Sequence, residues 1–141
     1  MAVIRHQITI DAAPDTVYDA LATQAGLRSW WTADTKTYGK AGGKARFGFY
    51  RGSTLFHMTI EELVPGKRVV WKCHGDHPEW KGTLLAWTLA GNKKSTILRF
   101  TQSKWKKYSD FCAACNSTWG ELIYRLKGYV EGKNPGPHWK G

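Results

Sequence analysis

The sequence predicts an α+β fold: a curved antiparallel sheet with one long amphipathic helix lying across it. Three observations predict it. The first residues alternate with period two, the middle of the chain is a run of such segments separated by glycine-containing turns, and the last long segment carries an apolar stripe at helical spacing. The chain has 141 residues, 42% of them apolar and 23% charged. That profile fits one globular domain over 1–141 with an irregular tail over 133–141.

Residues 3–10 place Ile4, His6, Ile8 and Ile10 on one side and Val3, Arg5, Gln7 and Thr9 on the other, the pattern of a half-buried strand. Pro14, whose fixed φ suits a first helical position, opens a short helix with Val17 and Leu21 on one face. Gly26 reads as a break, after which Leu27, Trp30 and Trp31 set out a second short helix ending near Trp31.

Strands are expected over 44–51, 54–63, 69–74, 82–90 and 95–103. Their turns fall at Arg51-Gly52-Ser53, Pro65-Gly66 and Ala90-Gly91-Asn92. Links this short force neighbouring strands to run antiparallel. Ser109-Asp110 are good N-cap types for a helix reaching about Gly132. Its stripe is Phe111, Cys115, Thr118, Trp119, Leu122, Ile123, Leu126, Tyr129 and Val130. Beyond it, prolines and glycines favour irregular backbone.

Alternation and helical phase turn Phe47, Phe49, Met58, Trp71, Trp87, Phe100, Trp119 and Ile123 toward the interior. These eight are the candidate ligand-binding residues, since large rings on a curved sheet leave irregular gaps more readily than aliphatic chains do. The formal charge of +10 favours an anionic partner or a ligand with an anionic head.

No cofactor or metal site is expected. Cys73-His74-Gly75-Asp76-His77 gathers ligand types without the separated pairs of a structural zinc site. Cys112-Ala113-Ala114-Cys115 has redox spacing but lacks a preceding strand, so Cys115 is read as core with Cys112 beside it. No catalytic residue is assigned: His57 alternates to the outer face, and Glu61 and Glu62 point to opposite sides of a strand. Lys104-Trp105-Lys106-Lys107-Tyr108 interleaves cations and rings as single-strand nucleic-acid binders do, but no nucleic-acid-binding motif accompanies it, and a solvated loop is the preferred reading. The alternating start is unlike a secretory leader, no apolar run reaches the roughly 18 to 20 residues that span a bilayer, and three cysteines do not make a disulfide framework. A cytoplasmic location is expected, as monomer or homodimer.

Several segments resemble a known family. They are Ile10-Asp-Ala-Ala-Pro14 with Val17-Tyr18, Leu27 with Trp30-Trp31, Gly42-Gly43 with Phe47, and Ile60-Glu-Glu-Leu-Val-Pro-Gly66. Ser117-Thr-Trp-Gly-Glu-Leu122 and Leu126-Lys-Gly-Tyr-Val-Glu-Gly132 close the series. In order and spacing, from Ile8 to about Gly132, the chain resembles the activator of heat-shock protein 90 ATPase-like branch of the SRPBCC (START-like) superfamily. The resemblance implies a helix-grip fold with a cavity between sheet and C-terminal helix. It also implies that the chain binds a lipid-, aromatic- or polyketide-like molecule there, acts on one as a cyclase or hydrolase, or engages a chaperone ATPase as an interaction module.

Overall fold

The computed structural model describes residues 2–140; Met1 and Gly141 of the expected domain lie outside them. The element order is β1 (Ala2–Ile10), α1 (Pro14–Ala22), α2 (Gln24–Trp30), β2 (Asp34–Thr37), β3 (Lys44–Phe49), β4 (Thr54–Val64), β5 (Arg68–Cys73), β6 (Leu84–Gly91), β7 (Thr96–Trp105) and α3 (Asp110–Val130). The strands form one curved antiparallel sheet in the order β1-β7-β6-β5-β4-β3-β2. Neighbours from β2 to β7 are sequential, and β1 returns to pair with β7, His6 opposite Phe100. A bulge between Ile60 and Glu62 bends β4 against β5.

Three local differences from the sequence reading have physical causes. Strand β2 was not foreseen, because Asp-Thr-Lys-Thr has no apolar alternation; it is held by its register on β3, Thr35 opposite Phe47. Gly26 lies inside α2 and does not break it. Thr23 serves both helices: its N–H caps α1 by bonding Asp19 O, and its side chain accepts from Gly26 N–H at the start of α2. The tail, described over 133–140, is irregular in backbone and docked on the body of the fold. Trp139 N–H donates to Trp31 O at 3.0 Å, Ala33 N–H donates to Trp139 O at 2.9 Å, and the Arg125 guanidinium donates to Gly136 O at 2.7 Å and Pro135 O at 2.9 Å.

The core lies between the inner sheet face and the helices. Trp30, Trp31, Trp71, Trp87 and Trp119 are essentially solvent-free, and Trp87 and Phe100 of the sheet meet Trp119 of α3 at ring separations of 5.8 and 4.5 Å. This is the helix-grip arrangement: the apolar stripe of α3 faces the apolar side of the sheet.

The C-terminal end of α3 is tied down by charge. Glu131 Oε2 accepts from the Asp11 backbone N–H at 2.8 Å and from Lys127 Nζ at 2.5 Å, and Lys127 Nζ also donates to Thr9 O at 2.9 Å. The Asp11 N–H first, and Lys127 next, hold the Glu131 carboxyl below its usual range. A depressed carboxyl contributes stability above its unfolded pKa and loses it as pH falls through the folded value. Glu131→Gln is therefore expected to cost about 1 kcal/mol at pH 7. Urea titrations at descending pH should show the gap between wild type and variant closing in acid.

Candidate functional site

At the end of the molecule formed by the β3–β4 turn, the packing is incomplete. A cavity of about 290 Å³ opens there between the sheet, the N-terminal half of α3 and the tail. Phe49 and Phe56 come from β3 and β4, His77 and Trp80 from the β5–β6 connection, Trp31 from the end of α2, and Trp139 from the tail. Helix α3 supplies Phe111, Ala114, Cys115, Thr118, Trp119 and Leu122, positions three and four apart on one face. The hollow has a local cause: Cys115 and Thr118, half-buried on the α3 stripe, are small where large groups would be needed to reach the sheet, and exposed Ala114 borders the opening. Further along the helix, Ile123 and Leu126 are large and fully buried, and neither lines the cavity.

A buried polar relay holds the walls together. Trp119 Nε1–H donates to Gln102 Oε1 at 3.0 Å, Gln102 Nε2–H to Thr83 Oγ1 at 3.1 Å, and Thr83 Oγ1–H to Trp80 O at 2.7 Å. Helix α3, strand β7 and the β5–β6 connection are thereby fixed to one another. Gln102 is fully buried with its amide engaged at both ends, which is how a buried amide avoids an unmet desolvation cost.

The tail closes one side. Trp139 packs edge-on against Phe49 at 4.8 Å and against Tyr50 at 6.4 Å. Tyr50, Arg51 and Gly52 all have left-handed backbone, φ 52°, 59° and 83°, which turns the hairpin and leaves the Tyr50 ring at the cavity's rim.

The eight sequence-derived residues are all buried. Only Phe49 and Trp119 of the eight line this cavity. Phe47, Trp71, Trp87 and Phe100 pack ring to ring in the core: Phe47 lies 5.2 Å from Trp71, Trp71 6.0 Å from Trp87, and Trp87 4.3 Å from Phe100. Met58 and Ile123 are core as well. Trp31, Phe56, His77, Trp80, Phe111, Leu122 and Trp139 were missed as wall residues. Strand alternation gives the face of a residue and not its position along the sheet, and no periodicity reaches loop or tail residues.

The cysteines exchange the roles expected of them. Cys112 is fully buried, whereas Cys115 is half-buried on the cavity wall. Burial pushes the Cys115 thiol up to about 11, against the opposing effect of the Trp80 indole, so it is a neutral thiol at physiological pH.

Around Cys73–His77 the side chains diverge. Cys73 is buried in the core, His57 and His74 are exposed, His57 Nδ1 lies 3.0 Å from Asp76 Oδ2, and His77 faces the cavity. Among the described residues no three His, Cys, Asp or Glu side chains come together as metal ligands. In the basic segment Lys104, Lys106, Lys107 and Tyr108 are exposed but Trp105 is 1% exposed, so the interleaved ring that suggested base stacking is part of the core. No helix is long and apolar enough to cross a membrane among the described residues. No Lys or Arg lines the cavity, so the basic excess does not reach its wall.

No curated protein matches the chain. Among solved structures, the Aha1 dimer from Colwellia psychrerythraea is similar at 35% identity and TM-score 0.86, over 94% of this chain and 98% of that one. Protein MLL2253 from Mesorhizobium loti shares the fold at 14% identity and TM-score 0.81, over 92% of this chain and 97% of that one. Protein CV1439 from Chromobacterium violaceum does so at 22% and 0.77, over 93% and 99%. The model of the Activator of Hsp90 ATPase homolog 1-like protein family matches residues 11–131, most of the chain. Its order of strands, paired short helices and gripping terminal helix carries that family's sequence marks from Asp11 to Glu131, and the chain belongs to this family.

Proposed function

We propose that the protein binds a small apolar or amphipathic molecule in the cavity between sheet, α3 and tail, in the cytoplasm. One observation carries this reading: seven aromatic side chains besides Tyr50 and His77 converge on space that they do not fill. Ligand sites are concave, mostly apolar and furnished with a few polar groups, and about 290 Å³ lies at the small end of their range. Catalysis is less well supported by the same wall. Cys115 is held as a thiol, and His77 uses Nδ1 to accept the Glu79 backbone N–H, so the cavity offers a donor and no activated nucleophile.

Native mass spectrometry of freshly purified protein should detect a retained molecule, and thermal shift against fatty acids, aromatics and polyketides should raise the midpoint for at least one class. An unliganded mass together with no shift from any class would overturn the reading.

A second reading rests on the family itself: engagement of a chaperone ATPase, with self-association like that of the Colwellia protein. Stimulation of an Hsp90 ATPase by the purified chain, and a dimer mass in light scattering, are the expected results. No stimulation would dispose of the first part and a monomer mass of the second.

A further inference from the structure

The cavity and a second groove of about 360 Å³ beside it share Thr54, Phe56 and His77, so these residues stand at the junction of the two spaces. Phe56 is apolar, which leaves His77 and Thr54 as the polar groups there. The His77 ring is held in one orientation. It stacks on Phe111 with centroids 4.1 Å apart and planes 11° from parallel, and its Nδ1 accepts from the Glu79 backbone N–H at 3.1 Å. A backbone N–H can only donate, so Nδ1 is the unprotonated nitrogen and the ring proton sits on Nε2. Among the described residues neither His77 Nε2–H nor the Thr54 hydroxyl has a hydrogen-bond partner, and neither is sealed from solvent.

The surroundings decide what those donors suit. No Lys or Arg lines the cavity, and two carboxylates lie near it: Asp76 on the groove side, 3.0 Å from His57 Nδ1, and Glu79, which accepts from the Ser109 hydroxyl and whose charge acts on Cys115 of the wall. An anionic head group would enter an apolar wall with no opposite charge and with a like charge nearby, a costly placement. A neutral oxygen acceptor meets neither penalty.

We infer that His77, assisted by Thr54, is the positioning residue for the ligand's head group, and that the ligand is an apolar body carrying a neutral oxygen acceptor such as a carbonyl. The inference rests on the cavity reading above, with His77 Nε2–H donating to the acceptor at the mouth while the body lies among the rings.

Three naphthalene probes with one body test it by calorimetry: 2-acetylnaphthalene, 2-isopropylnaphthalene and 2-naphthoate. A neutral hydrogen bond of about 0.5–1.5 kcal/mol corresponds to roughly 2- to 12-fold in affinity. His77→Phe should therefore weaken the ketone by roughly 3- to 10-fold while leaving the hydrocarbon within about twofold, and His77→Gln, which keeps a donor, should recover most of the loss. The unchanged hydrocarbon affinity shows that the variant still folds. Equal weakening of ketone and hydrocarbon, no weakening of either, or tighter binding of naphthoate than of the ketone by the wild type would overturn the role of His77 and leave the cavity reading intact. If neither the ketone nor the hydrocarbon binds the wild type, this inference fails, while the cavity reading is decided by the mass and thermal-shift measurements above.

Discussion

Trp119→Ala is expected to destabilise the protein by about 3–5 kcal/mol, the range for removing a large buried ring. The ring is 2% exposed and sits 5.4 Å from Trp31, 5.8 Å from Trp87, 4.5 Å from Phe100 and 6.2 Å from Trp80. One edge borders the cavity, and had the ring merely lined a hollow the loss would fall well below that range. Four neighbouring rings and a hydrogen bond place it at the packed end. The substitution also strips the buried Gln102 of its donor, leaving an unsatisfied acceptor worth about 1–3 kcal/mol. Trp119→Phe separates the two contributions, because it keeps most of the ring and loses only the indole N–H. Equilibrium urea unfolding of both variants checks this, and a loss below about 2 kcal/mol for the alanine variant would contradict the packing described.

Gly26→Ala should also destabilise, by about 3 kcal/mol, although helix propensity alone predicts a gain of about 1 kcal/mol at an interior helical position. A Cβ on Gly26 would stand 2.6 Å from Asp19 O and 2.7 Å from the Ala20 Cα, both backbone atoms that cannot swing aside. Relief requires α2 to move off α1. That movement would break the Trp30 Nε1–H bond to Ala20 O, 2.9 Å long, and shift Trp31 on the cavity wall. The sign of the stability change separates the two arguments: a variant as stable as the wild type or more so would mean that the helices are not in backbone contact.

Gly26 also shows where sequence reasoning stops. A glycine amid helical spacing reads as a break, but here its missing side chain serves a tertiary contact that no local pattern encodes. The elements carried by their own periodicity were legible: the first strand, the helix opened by Pro14, the hairpins of the sheet and the long α3 stripe. Strand β2 was not, because four polar residues owe their conformation to their partner β3. The tail has irregular backbone over its described residues, 133–140. Its docking rests on backbone bonds between Trp139 and the Trp31–Ala33 segment and on Arg125, which donates to backbone carbonyls that any sequence would offer.

The candidate site was legible in outline only. The interior orientation of Phe49 and Trp119 followed from alternation and helical phase, and by the same logic Phe47, Trp71, Trp87 and Phe100 were grouped with them. Which rings touch empty space depends on what faces them. The informative feature was on the other element: Cys115 and Thr118, two small residues on the stripe of α3, mark the stretch where helix and sheet fail to meet. His77 and Trp139 lie outside any periodic segment and were found only in three dimensions.

The most direct measurement of the central claim uses the indole N–H signals of the eight tryptophans as reporters. In a ¹⁵N NMR titration with 2-acetylnaphthalene, the indoles of the cavity wall, Trp31, Trp80, Trp119 and Trp139, should shift in a saturable manner, while those of Trp30 and Trp105 stay in place. Shifts confined to Trp30 and Trp105, or no saturable shift at any indole with this ketone or with any fatty acid, aromatic or polyketide of the thermal-shift series, would contradict a ligand site between sheet, helix and tail.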